Sequence, residues 1–362
     1  MTDRRGSRGF SLVEILVGVT IGILSSIVVF QVFALSERQK RTTTGAADAQ
    51  TNGAVALYMM ERDVKTAGWG LENASFANCA TVFSYLDDGV SPAGPIGDLF
   101  ASATIADGGA GPDAITIQYY DDPSNPNFKF SVTSLRSSMP QPSAELNVNS
   151  TYGCDIGDLV MVIQGSSCTL MQITQVQESA LKLQHNPGGS PSYNPSAAYQ
   201  NANGWPAYTT GASMQCFSQL FRRTYRITAS QLELLEPNAA GVTQTFQIAP
   251  GILDMQAQYG VAAAGSQQVT SWVNATGAWA SPLTTANARR VKALRIALVA
   301  RSSEYEKPDA EGTCTTTTAA MVAGWSTWAV FDTGAWPADW QCYRYKMFET
   351  VVPLRNIIWA NL

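Results

Sequence analysis

The sequence predicts an α+β fold. One long N-terminal α-helix, half of it suited to a membrane, packs through its other half on an antiparallel β-sheet domain with large loop insertions. Three observations carry this. A 26-residue apolar stretch runs from Phe10 to Leu35 with Glu14 as its only ionisable group. A helical stripe of small and apolar residues then extends as far as Gly68-Trp69-Gly70. Beyond Gly70 the texture changes to short alternating runs punctuated by Gly, Pro and Asn.

As a helix, the apolar stretch would be about 39 Å long at ~1.5 Å per residue, enough to span a bilayer with tilt. It is too long for an ordinary secretory signal. Ser36-Glu37-Arg38-Gln39-Lys40-Arg41 also follows it where a small-residue cleavage site would stand. A plain anchor accounts for the length but not for Glu14. A carboxylate in hydrocarbon costs on the order of 2.5 kcal/mol or more, which marks it as functional. Arg4, Arg5 and Arg8 flank one end and Arg38, Lys40 and Arg41 the other, so flanking charge alone does not orient the segment. Gly18 and Gly22, continued by Ser26, have the four-residue spacing that lets a second helix approach closely. Glycine is also simply common in membrane helices.

In the second half, Ala46, Gly53, Leu57, Met60, Val64 and Ala67 share one helical face suited to packing on a globular domain. Gly68 to Gly70 can end the helix, giving it about 55–60 residues in all. Strands are expected at Asp113–Tyr120, Asn127–Leu135, Asp158–Gln164, Cys168–Val176, Ala180–Gln184, Gln219–Thr228, Gln231–Leu235, Leu253–Val261, Arg290–Arg301, Ser326–Phe331 and Tyr343–Leu354. Long loops are expected at His185–Cys216, Ala262–Ala288 and Ser303–Cys342.

The 362 residues are 45% hydrophobic and 14% charged, well below the usual quarter or so for charge. A net charge of −5 argues against general nucleic-acid binding. Six dispersed cysteines, no C-x-x-C pair and a single histidine, His185, argue against a zinc site and for disulfides in an oxidising compartment. Cys314–Cys342 is the first expected bridge. The other four cysteines, Cys79, Cys154, Cys168 and Cys216, allow three pairings; Cys154–Cys168 with Cys79–Cys216 is the one we expect. No cofactor or metal is implied. His185 stands in a His-Asn-Pro-Gly-Gly-Ser turn, a poor place for a catalytic base. The acidic groups Asp87-Asp88, Asp121-Asp122 and Asp309/Glu311 read as solvated loop carboxylates, with calcium the competing reading. Nine tryptophans include Trp325, Trp328, Trp336 and Trp340, suited to a core or subunit interface or, alternatively, to a ligand surface.

Gly9-Phe10-Ser11-Leu12-Val13-Glu14, behind a short basic leader and ahead of an uninterrupted apolar helix, resembles the processing site of type IV prepilins and type II secretion pseudopilins. The resemblance implies that a prepilin peptidase cuts between Gly9 and Phe10 and methylates the new N-terminus. Glu14, fifth in the mature chain, would then pair with the N-terminal amine of a neighbouring subunit during assembly. It also implies a type IV pilin-like division: a leader at 1–9, a transmembrane and filament-core helix at 10–35, a periplasmic continuation at 36–69 and a β-rich pilin domain at 70–362.

Further segments are similar to the PilW-type minor pilins: Glu61 through Gly70, Arg222 through Ile227, Gly251 through Gly260, Val291 through Arg301 and Thr350 through Asn356. Unlike many major pilins, the chain has no proline before Pro92. The resemblance thus implies a non-enzymatic minor pilin that helps initiate or cap a type IV pilus. Its partners would be other minor pilins, the major pilin, the prepilin peptidase and the inner-membrane assembly platform. It would sit in the inner membrane with a periplasmic domain before assembly, and in the extracellular pilus afterwards. A J-type minor pseudopilin of type II secretion and a tip module binding carbohydrate or DNA are the alternative readings.

Overall fold

The computed structural model describes residues 11–70, 79–87, 93–120, 131–188, 192–217, 220–237, 243–309 and 311–359. It has the expected class, one long N-terminal helix with several antiparallel sheets. Helix α1 runs unbroken from Leu12 to Thr66, 55 residues, as a segment without proline allows. It ends where Gly68 (φ +78°) and Gly70 (φ +79°) turn the chain through the left-handed region.

The part of α1 that faces protein is rotated slightly from the expected stripe. Gly45, Ala49, Gly53, Ala56, Met60, Asp63, Val64 and Ala67 are buried, whereas Ala46 is exposed and Leu57 half-buried. Space explains the shift. The domain approaches the helix backbone where side chains are smallest: a Cβ on Gly45 would lie 3.1 Å from Ser302 Cβ, and one on Gly53 would fall inside the Phe348 ring.

Three larger sheets and one small one build the domain. The first has the order β1 (Thr81–Phe83), β7 (Ser167–Gln172), β6 (Leu159–Gln164), β10 (Ser213–Phe217), β4 (Ser131–Ser134), with β1 and β7 forming a parallel pair. The second has the order β13 (Thr243–Pro250), β12 (Gln231–Pro237), β11 (Leu220–Thr228), β3 (Ala114–Tyr120), β2 (Ala103–Ala106). The third has the order β15 (Val269–Val273), β14 (Ile252–Ala262), β16 (Val291–Arg301), β17 (Tyr345–Pro353). A small sheet of β5 (Leu146–Asn147), β9 (Lys182–Gln184) and β8 (Gln175–Gln177) sits apart. Four short helices complete the elements: α2 (Ala197–Ala202), α3 (Thr285–Arg290), α4 (Ala319–Ala323) and α5 (Arg355–Trp359).

The outer half of α1 packs chiefly against β17, β16 and β13. Strand β16 shows how this creates two cores. Leu294, Ile296 and Leu298 enter the main core with Met60 and Val64 of the helix, while Ala297 and Val299 point the other way into a smaller core beneath residues 303–342. Burial on both faces makes β16 a nearly continuous apolar run. A third core, around Val160, Val162, Met171 and Met214, lies within the region of the first and small sheets.

The secondary structure departs from expectation in the loops and in one strand: the loop expected across 185–216 contains α2 and most of β10, and that across 303–342 contains α4. Ser326–Phe331 is not a strand; its alternation reflects Ala329 and Phe331 packing into the smaller core from irregular backbone. The loop expected across 262–288 contains β15, which pairs with β14.

Candidate assembly site

Every side chain described from Ser11 to Glu37 is exposed, including sixteen large apolar ones from Leu12 to Leu35. Burying such a side chain is worth about 1.5–3 kcal/mol, so a helix like this requires lipid or another protein around it. It is long and apolar enough to cross a membrane.

Glu14 caps its own helix. Its Oε2 accepts from the Ser11 N–H at 3.0 Å, while Ser11 Oγ accepts from the Glu14 N–H at 3.2 Å, a reciprocal capping box at the positive end of the helix dipole. Oε1 has no partner among the described residues and is free to accept from an external donor. The sequence reading singles out Glu14 for its charge and passes over Ser11; the Ser-x-x-Glu spacing is the signal that marks both. Gly9 and Phe10, the residues of the expected cleavage site, lie outside the described residues. Gly18 and Gly22 face open space, with nothing within 4 Å of an added Cβ. Ser26 Oγ donates back to the Gly22 carbonyl at 2.8 Å, and Thr20 Oγ1 to that of Leu16 at 2.7 Å, so both hydroxyls are satisfied within the helix.

At its other end α1 is locked to the domain by groups from distant segments. Asp63, 2% exposed, accepts from Tyr225 at 2.7 Å and from Arg223 at 3.4 Å, with Arg62 at 3.2 Å beside it. Burial and the Asp63 charge push the Tyr225 phenol up. Arg223 also bonds Glu236 at 3.1 Å. Asn356 Nδ2 donates to the Ala67 carbonyl at 3.1 Å and to that of Thr66 at 3.3 Å, satisfying carbonyls that a helix end leaves bare. The Gly68 N–H donates to the Gln118 carbonyl and Tyr120 N–H to that of Trp69, so the chain leaves the helix alongside β3. Three of the segments that resemble minor pilins, around Asp63, Arg223 and Asn356, therefore meet at one place.

The remaining candidates are structural. Cys314 joins Cys342. The other pairs are Cys79–Cys168 and Cys154–Cys216, which overturns the expected Cys154–Cys168 and Cys79–Cys216. The reason is topological: Cys154 precedes β6 and meets β10 beside it, and Cys79 precedes β1, which lies beside β7. Among the four tryptophans of residues 325–340, Trp325, Trp336 and Trp340 pack on one another and on Tyr345 or Phe331. Trp336 Nε1 donates to buried Asp254 at 2.9 Å, pinning this flap to β14. Trp328 donates to Glu349, and the Arg295 guanidinium lies between the rings of Trp272 and Trp328, 4.9 and 4.4 Å from their centres. His185 is buried and pairs its Nε2 with the Ala144 carbonyl at 2.8 Å, and desolvation pushes its imidazole pKa down. Among the described residues no three His, Cys, Asp or Glu side chains lie together to hold a metal ion; Asp88, Asp121 and Asp122 are not among them.

Residues 207–356 match the model of the family described as type IV pilus-assembly protein W, PilW. The match supports a PilW-type type IV pilus protein. No curated protein and no solved structure matches it. The matched span covers the second and third sheets from β11 onward, the flap and the start of α5. It includes Arg223, Tyr225 and Asn356, while their partners on α1, Asp63 to Ala67, precede it. The match is to a family of pilus assembly, and it supports an involvement of this chain in assembling the type IV pilus.

Proposed function

We propose that this chain is a minor pilin which enters the pilus through its N-terminal helix and works at the tip with other minor pilins, helping to initiate assembly. The observation that carries the reading is the fully exposed apolar half of α1, continuous with a helix docked on a PilW-type domain. A prepilin peptidase removes residues 1–9 and methylates Phe10. The amine so created is the external donor that Glu14 accepts in the low-dielectric filament core, where an unpaired carboxylate is costly. Before assembly the helix anchors the chain in the inner membrane with its domain in the periplasm, a compartment in which three disulfides persist. The bulk of the domain suits a tip better than a repeating shaft.

The test is Glu14→Ala in the native host. It should be cleaved and inserted in the membrane yet absent from sheared pili, and immunogold labelling of wild type should mark pilus ends. Incorporation of Glu14→Ala at the wild-type level would overturn the role of Glu14, and label spread along the shaft would overturn the tip position.

A further inference from the structure

Where α1 leaves the domain, an open groove of about 780 Å³ runs between the helix and the flap. Ala34 and Leu35, the last apolar residues of the membrane half, line one end of it. The rest is polar, with Gln31, Thr42, Tyr305 and Thr316 among charges of both signs: Glu37 and Arg41 from the helix, Glu306, Lys307 and Arg344 from the domain. Arg41 Nε pairs with Glu37 at 3.3 Å and Arg344 Nε with Glu306 at 2.8 Å, and Thr42 Oγ1 donates to Glu306 at 3.1 Å. Each arginine is engaged through Nε alone, so its terminal nitrogens remain available for a second acceptor. Each carboxylate likewise keeps one oxygen free. Lys307 is exposed and has no partner among the described residues.

Depth decides what can reach this groove. Six residues separate Leu35 from Arg41, about 9 Å along a helix at ~1.5 Å per residue. The headgroup layer on each side of a bilayer is about 5–8 Å thick. With Leu35 at the edge of the hydrocarbon, Glu37 stands among the headgroups and Arg41 at their outer margin, and Glu306, Lys307 and Arg344 of the domain line the same groove. Guanidinium forks match phosphate oxygens, and the exposed pairs that now occupy them are worth only about 0–1 kcal/mol. Two carboxylates with free oxygens favour a headgroup that also carries an N–H donor.

We propose that this groove holds the phosphoethanolamine headgroup of a phospholipid in the leaflet beside the domain. Its phosphate lies against Arg41, Lys307 and Arg344, and its ammonium against Glu37 and Glu306. One acyl chain follows Leu35 and Ala34 into the hydrocarbon. The headgroup would fix the tilt of the domain on the membrane before the subunit is drawn into a pilus. The proposal rests on the reading that the first half of α1 lies in a bilayer.

The test uses the full chain reconstituted in nanodiscs of equal parts phosphatidylethanolamine, phosphatidylglycerol and phosphatidylcholine. After extraction in mild detergent, the lipids retained on the protein are measured by mass spectrometry. Retained phosphatidylethanolamine should exceed each of the other two lipids several-fold. Lys307→Gln, which removes an exposed side chain with no structural partner, and Arg344→Gln should each reduce that enrichment several-fold. Glu306→Gln should narrow the preference for phosphatidylethanolamine over phosphatidylcholine, because one of the two ammonium acceptors is gone. Enrichment of phosphatidylglycerol, or retained lipid of bulk composition, would overturn the proposal while leaving the membrane reading intact. Failure of the chain to insert into nanodiscs would overturn both.

Discussion

The Tyr225 hydroxyl donates to Asp63 Oδ2 at 2.7 Å, tying the last turn of α1 to the middle of the second sheet. The two groups are 162 residues apart in the chain and both are buried. Arg223 completes the arrangement from the same strand, so one helix carboxylate receives two donors from β11. This contact joins the end of α1 to the second sheet, beside the packing of the helix on β17, β16 and β13.

The two sides of the contact should not cost the same to remove. Tyr225→Phe leaves Asp63 with both arginines, and loss of one hydrogen bond to a charged group should cost about 1.5 kcal/mol. Asp63→Ala strands the buried phenol and removes one of the carboxylates near Arg223, which keeps Glu236; the expected cost is about 2–3 kcal/mol. A double-mutant cycle by urea denaturation of the full chain in detergent should give a coupling of about 1 kcal/mol or more. Additive losses would show that the hydrogen bond does not secure the helix.

Glycines of α1 should divide by position. Alanine in place of glycine adds roughly 1 kcal/mol of helix propensity. At Gly53 that gain is outweighed, because the new methyl group enters the Phe348 ring and overpacking costs about 1–3 kcal/mol. Gly53→Ala should therefore lower the melting temperature, and Phe348→Ala should relieve the clash when combined with it. Gly22→Ala, which meets nothing in the isolated chain, should not lower it. A stable Gly53→Ala would mean that the helix is not seated on β17 as described.

The disulfide pattern has a direct readout. Non-reducing digestion should yield Cys79 linked to Cys168, Cys154 to Cys216 and Cys314 to Cys342. Replacing both Cys314 and Cys342 by serine opens a loop with a sequence separation of 28, and loop entropy puts the loss at about 3–4 kcal/mol. The flap would then hold only through its tryptophan packing and the hydrogen bonds of Trp336 to Asp254 and Trp328 to Glu349, and its tryptophan fluorescence should shift toward that of water-exposed indole. A peptide linking Cys154 to Cys168 would refute the order of strands in the first sheet.

The fold class was legible because its two signals are local: an apolar stretch long enough for a bilayer and alternating runs between turn residues. Strand β13 carried no such signal. Thr243 to Gln247 are exposed on an edge strand and only Ile248 and Ala249 near its end turn toward the core, so its sequence shows no alternating buried face. The buried face of α1 was legible in period but off in phase, because Phe348 and Ser302 select the glycine positions and lie some 250–300 residues away in sequence. Cysteine pairing failed for the same reason: it depends on which strands become neighbours. At the assembly site Glu14 stood out as a lone charge. The groove beside Arg41 did not, since half of it comes from Glu306, Lys307 and Arg344.

Asp113 gives the domain a pH dependence of definite sign. Its carboxylate is buried at the start of β3 and accepts from the N–H groups of Gly108 at 2.9 Å and Ala257 at 2.8 Å. Desolvation outweighs these donors and pushes its pKa up from 3.8 to about 6. Between those values the folded chain binds a proton that the unfolded chain has released, so this group's contribution favours folding below the range and is lost as pH rises through about 6. The shift corresponds to an upper figure of about 3 kcal/mol. Asp113→Asn cannot titrate and turns an amide NH₂ toward one of the two N–H donors, so it should be less stable than wild type at every pH. The wild-type advantage should be largest near pH 4 and shrink toward pH 7, as read from melting temperatures of the two proteins across that range. An advantage that stays constant from pH 4 to pH 7 would mean that Asp113 keeps an ordinary pKa, held down by its two backbone donors.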